Sequence, residues 1–273
     1  MQCLLFPGQG VQRKGMGAEL FARHPEATAL ADDVLGYSIE ELCVRDTGRR
    51  LRDTRYAQPA VFFVNALLGV ERLAERSYGY FAGHSLGEYN ALVAAGVLDL
   101  ADGLRLVKRR AELMSTITGG GMSAVQGVPA AFVRRALAET GLSKVFVANH
   151  NADTQTTIAG DRAELAVAGK AIAALPGARV VPINVSGPFH TPLMAPAEAE
   201  FRAALSGFAF GQAHTPVVSS VTGELFDGPD LLARQLSAPV EWVRAVTTLR
   251  AVGVTAFDEV NGQTLTSLVN KVH

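Results

Sequence analysis

Gly83-His84-Ser85-Leu86-Gly87 constrains this chain more than any other segment. The apolar pair Phe81-Ala82 precedes it, and a helix-like stretch over residues 86–95 follows before Gly96 stops it. A G-x-S-x-G run in that setting predicts a sharp strand-to-helix turn with the serine at its apex. Its flanking positions are glycine because side chains there would collide. A hydroxyl at a helix N-terminus also sits in a locally positive potential. A chance glycine-rich turn has the same letters; the strand before it and the helix after it favour the elbow, with Ser85 as candidate nucleophile.

The rest of the chain supplies a sheet for such an elbow. Cys3-Leu4-Leu5-Phe6 is a short apolar run that ends in Pro7-Gly8-Gln9-Gly10, as a buried strand entering a loop does. Helical spacing covers residues 57–73, with Pro59 read as the start signal, and residues 100–114; residues 78–82 form a second strand. Short strands alternating with helices predict an α/β unit with a mostly parallel, helix-covered sheet. Gly119-Gly120-Gly121 is a joint, and the rhythm changes after it. Strands at 123–128, 145–148, 156–159 and 178–185, with helices at 130–139 and 162–175, give the order β-α-β-β-α-β of a ferredoxin-like unit. The expected organisation is a small domain at 122–186 inserted into a large domain of 1–121 and 187–273.

Charge and cysteine usage narrow the partners. The net charge of −1 over 273 residues leaves no basic field to gather nucleic acid, so an acidic ligand must meet a local cation. Cys3 and Cys43 make no disulfide framework, which fits a reduced, cytoplasmic setting. The start shows no signal peptide, and no apolar run reaches the roughly 20 residues of a membrane span. A monomer is the default expectation.

A serine nucleophile needs a base. His24, His214 and His273 read as peripheral, His150 as a loop residue at the surface, and His84 as part of the elbow. His190 follows Val185-Ser186-Gly187-Pro188-Phe189, a strand ending in a turn at the domain joint, where clefts form. No carboxylate stands within a few residues of it, so a dyad with a backbone carbonyl orienting the ring is the simpler arrangement. On the helix at 100–114, Arg110 shares a face with Leu106, Val107 and Met114, while Arg105, Lys108, Arg109 and Glu112 read as solvated. An arginine on an apolar stripe needs an anion. A structural ion pair, a head group reaching to water, and a bidentate clamp on a substrate carboxylate all remain open from spacing alone.

Taken together these segments resemble the malonyl-CoA:acyl carrier protein transacylases over essentially the whole chain. The matching residues are Phe6-Pro7-Gly8-Gln9-Gly10, Gln58-Pro59-Ala60, Gly83 to Tyr89, Arg110 with Met114, Phe189-His190, and Arg234-Gln235-Leu236 ahead of Pro239-Val240-Glu241-Trp242. The resemblance implies an α/β-hydrolase-like large domain, Ser85 as the acylated nucleophile and His190 as its base. It also implies Arg110 on the malonyl carboxylate, backbone N–H groups of Gln9 and Leu86 as an oxyanion hole, and Gln58 lining the pocket. The Gln235 carbonyl would orient His190, and Asn151 would stand near the ligand entrance. No metal or bound cofactor is implied; the substrates are a CoA thioester and the phosphopantetheine arm of a carrier protein. GHSLGEYNAL over residues 83–92 and the segment Leu35 to Leu42 ahead of Gln58 resemble the free-standing acyltransferases that serve polyketide synthases in trans, and Phe189 before the histidine is similar to malonyl-specific polyketide acyltransferases. A ring at 189 leaves little room for an α-methyl group, a preference worth about 1–3 kcal/mol. Alternatives within the same machinery are a malonyl transferase of fatty acid synthesis or of a malonate decarboxylase, and a hydrolase that clears acyl carrier proteins. The sequence departs from the pattern at Ala111, at Val260-Asn261-Gly262-Gln263, and in its short C-terminal end.

Overall fold

The computed structural model describes residues 1–273 and contains two four-stranded sheets. The first is built from β1 (Gln2–Phe6), β2 (Tyr80–Gly83), β7 (Val217–Val218) and β8 (Ala256–Glu259) in the order β7-β2-β1-β8, with every neighbouring pair parallel. Parallel strands need helical crossovers, and helices such as Thr54–Glu75, Gly87–Ala94 and Leu100–Thr116 fill that role. Both faces of the sheet are therefore covered, which explains why β1 reads as a continuous apolar run rather than an alternating one.

The second sheet holds β3 (Gly120–Gln126), β4 (Val145–Ala152), β5 (Gln155–Asp161) and β6 (Arg179–Ile183) in the order β4-β5-β3-β6, all antiparallel. Helices Ala130–Thr140 and Arg162–Ala173 pack on it through Val133, Leu165, Ala168 and Ile172. β4 is also stitched to the large unit: the His150 amide donates to the Val240 carbonyl, and the Val240 amide donates to the Ala148 carbonyl.

Several expected boundaries move. Residues 57–73 lie inside a helix that begins at Thr54, where the Asp53 side chain accepts from the Arg55 amide. Pro59 is thus interior, in the second turn, and does not start the helix. β3 opens at Gly120, so two residues of the triple glycine belong to the strand; a Cβ on Gly120 would lie 2.6 Å from the Pro188 ring. His150 lies in β4, not in a loop, and its ring sits between Glu241 and Arg134. Lys108 is not free in solvent: its ammonium donates to the Val34 and Leu35 carbonyls at a helix C-terminus, where a cation is favoured. No helix is long and apolar enough to cross a membrane.

Candidate active site

Parallel pairing brings the site together. Because β1, β2 and β8 run in one direction, the loops that leave them meet at one edge of the sheet. In open α/β sheets that carboxyl edge is where ligands bind. The loop after β1 touches the loop after β2 so closely that a Cβ on Gly8 would lie 2.6 Å from the His84 carbonyl oxygen. The loop after β8 braces the first: Asn261 donates to the Asn65 side chain, and Asn65 donates to the Pro7 carbonyl at 2.9 Å. The departure at Asn261 therefore has a structural task beside the site.

Ser85 sits on the expected turn, between β2 and the Gly87–Ala94 helix, with φ of +51°. The glycines around it are required sterically. A Cβ on Gly83 would stand 2.0 Å from the Gly87 carbonyl carbon, and one on Gly87 would stand 1.9 Å from the Phe6 carbonyl oxygen. Gly83→Ala is expected to cost at least about 3 kcal/mol in stability, because backbone and not a flexible side chain must give way. Thermal unfolding checks it: a Tm matching the parent's would contradict the steric reading.

His190 shares the left-handed conformation, with φ of +61°. Non-glycine residues held there cost energy and cluster where a fold imposes geometry for function. Its Nδ1 lies 2.8 Å from the Gln235 carbonyl oxygen, which can only accept. Nδ1 therefore carries the proton, leaving Nε2 free as acceptor 2.8 Å from the Ser85 Oγ. No carboxylate takes part. Burial, then the nearby Arg110 cation, lower the His190 pKa to about 3, so the ring is neutral at ordinary pH. The sign follows directly: protonation would disable Nε2 only well below the usual imidazole range. Covalent loading of Ser85 is thus expected to hold its rate from neutral pH down to about pH 5. Removing Arg110 should move the acid limb upward. Single-turnover loading followed by mass spectrometry tests both, and a wild-type limb near the free-histidine value would contradict them.

Arg110 is 2 % exposed and forms no ion pair within the chain. Nη2 donates to the Ser85 Oγ at 3.0 Å and to the Gln235 Oε1 at 3.0 Å, Nη1 donates to the Gln58 Oε1, and Nε has no partner. The guanidinium lies 5.6 Å from the Tyr89 ring centroid. Burial pulls its pKa below the usual guanidinium range. A buried cation satisfied only by neutral acceptors is poised for an anion.

The backbone N–H groups of Gln9 and Leu86 donate to no acceptor within the chain, and both residues line the same cleft as Ser85. This cleft, about 470 Å³, lies between the loop edge of the parallel sheet and strands β3, β4 and β5. That size suits a small-molecule site. Phe189 and Asn151 line it. The Asn151 Oδ1 also accepts from His84 Nε2 at 2.9 Å, tying the elbow to β4. Gln58 does not line the cleft; it stands behind Arg110 and donates to the Thr54 hydroxyl, which donates to the Gln9 side chain.

Sequence reasoning missed four members of this network. Thr54 stands one turn before Gln58, a spacing that could have flagged it. Asn65 gave no signal, and Asn261 stood out only as a departure from the family pattern. Glu88, inside the elbow motif, is fully buried beside the Gln235 side chain.

The acyl transferase domain profile matches residues 3–265. The chain belongs to the acyl transferase domain family. Among relatives in this family, the polyketide biosynthesis malonyl CoA-acyl carrier protein transacylase PksC of Bacillus subtilis is 40% identical, over 98% of this chain and 96% of PksC. The polyketide biosynthesis protein ThaF of Burkholderia thailandensis is 42% identical over 100% of this chain, which spans only 24% of ThaF. A crystal structure of malonyl CoA-acyl carrier protein transacylase from Burkholderia pseudomallei superposes with a TM-score of 0.96 at 39% identity, covering 100% of this chain and 97% of that one.

Proposed function

We propose that this family member transfers malonyl from malonyl-CoA to the phosphopantetheine thiol of an acyl carrier protein through malonyl-Ser85. The observation that carries this reading is Arg110: a buried cation with no carboxylate of its own, 3.0 Å from the candidate nucleophile. A neutral acyl group would leave the guanidinium fork with no carboxylate to hold, which argues against a hydrolase clearing ordinary acyl chains.

The thioester enters with its free carboxylate on Arg110. His190 Nε2 takes the Ser85 proton as Oγ bonds to the carbonyl carbon. The N–H groups of Gln9 and Leu86 receive the oxyanion, the step at which preorganised donors matter most. Collapse breaks the C–S bond; the CoA thiolate leaves with the proton from His190. A carrier thiol then gives its proton to His190 as its sulfur bonds to the ester carbonyl carbon; the C–O bond to Ser85 breaks, and His190 returns the proton to the Ser85 Oγ. Phe189, buried against the cleft, narrows the space beside the acyl α-carbon and favours malonyl over branched analogues. Two of the relatives are polyketide biosynthesis proteins, which supports service to a polyketide synthase in trans. We assign residues 122–186 as the small domain that forms the second wall of the cleft, and a monomer without bound cofactor as the working unit.

The test is intact-mass spectrometry. Malonyl-CoA should add one malonyl group, and a phosphopantetheinylated carrier protein should remove it. Rapid release of free malonate with no malonylated carrier would sink the transferase reading.

A further inference from the structure

Arg110 and Glu88 are both buried and both lack a partner of opposite charge, yet one side chain touches each. Glu88 is 0% exposed and no Lys, Arg or His pairs with it. Its Oε2 accepts from the Ser220 amide at 3.1 Å, the Ser220 hydroxyl at 2.7 Å and the Gln235 Nε2 at 2.7 Å, while Oε1 has no partner. The same Gln235 amide turns its Oε1 to Arg110 Nη2 at 3.0 Å. A carboxylate is acceptor-only, and three donors converge on this one. A protonated Glu88 would leave its own O–H without an acceptor on the free oxygen, which costs energy in a buried site.

We propose that Glu88 is the ionised counter-charge of Arg110, coupled to it through the Gln235 side-chain amide. Resting on the proposed malonyl transfer, this makes Glu88 a positioning residue. A direct ion pair would occupy the guanidinium fork and compete with the substrate carboxylate. Placing one amide between the charges compensates the buried cation and leaves the fork open. The arrangement also fixes Gln235, whose backbone carbonyl holds His190. Burial raises the Glu88 carboxyl above its ordinary range, and the donors from Ser220 and Gln235 act against that rise.

The experiment compares malonyl with acetyl loading of Ser85 from the two CoA thioesters at limiting concentration. In Glu88→Gln, which keeps the shape and removes the charge, Arg110 loses its compensation and holds a carboxylate more tightly. The malonyl-to-acetyl ratio is expected to rise about tenfold, the order expected for one charge lost across a single amide at an effective dielectric of about 20. The rise should vanish when Glu88→Gln is made in the Arg110→Ala background. An unchanged ratio in folded Glu88→Gln, or an equal rise in the Arg110→Ala background, overturns the coupling. Failure of the malonyl reading looks different, because Arg110→Ala alone would then leave the ratio unmoved. Should Glu88→Gln not fold, infrared spectroscopy of the wild-type protein decides. Glu88 and Glu259 are its two buried carboxyls. No un-ionised carboxyl band at neutral pH supports the proposal; a band that persists in Glu259→Gln overturns it.

Discussion

Ser85→Ala is expected to abolish the malonyl adduct and to lower carrier-protein malonylation by on the order of 10⁴-fold or more, the scale on which a nucleophile's removal is felt. The change removes one oxygen. That oxygen is the meeting point of His190 Nε2 at 2.8 Å and Arg110 Nη2 at 3.0 Å, so no neighbouring hydroxyl can substitute in place. The fold should survive. Alanine tolerates the left-handed φ no worse than serine, and Arg110 keeps its contacts to Gln58 and Gln235. Intact mass after malonyl-CoA treatment, with a melting curve beside it, separates lost chemistry from lost structure. An adduct that persists in this variant would place the nucleophile elsewhere.

The second large effect is a change of selectivity. Arg110→Ala is expected to slow malonyl loading by about 10²- to 10³-fold, because a desolvated charge-assisted contact worth roughly 2–5 kcal/mol disappears. Acetyl loading should hold or rise, since nothing in an acetyl group needs the cation and the cavity grows. Arg110→Lys should fall between, keeping a charge but losing the fork that reaches Ser85 and Gln235 together. Competition between the two CoA thioesters, read by mass, gives the ratio directly. A malonyl preference unchanged in Arg110→Ala would refute the clamp.

Much of this arrangement was legible because its determinants are local. The elbow needs two glycines and a serine at fixed offsets, and backbone geometry enforces them. Arg110 stood out because its helix has one apolar stripe and the arginine interrupts it. The ferredoxin-like unit was readable from an order of short periodic segments. What stayed hidden depends on contacts far apart in the chain. Glu88 lies on a helix buried nearly all round, so periodicity could not mark it as facing inward. β7 is two residues long, too short to show a period, yet it completes the parallel sheet. Lys108 and His150 looked like ordinary surface groups because their partners, the carbonyls at the end of one helix and Glu241, are 73 and 91 residues away. Asn261 likewise reaches Asn65 across 196 residues.

The contact between Arg110 and the Ser85 oxygen turns the site into a ruler. Under the proposed malonyl transfer, a cation that touches the attacking atom suits a carboxylate that begins one carbon beyond the carbonyl under attack. Malonyl has that single methylene. On that reading a succinyl group would carry its charge past the guanidinium, whose other nitrogen is already hydrogen-bonded to Gln58. On the proposed transfer, chain length would be measured from the reacting oxygen itself, and the selection would fall at the bond-forming step rather than at the mouth of the cleft.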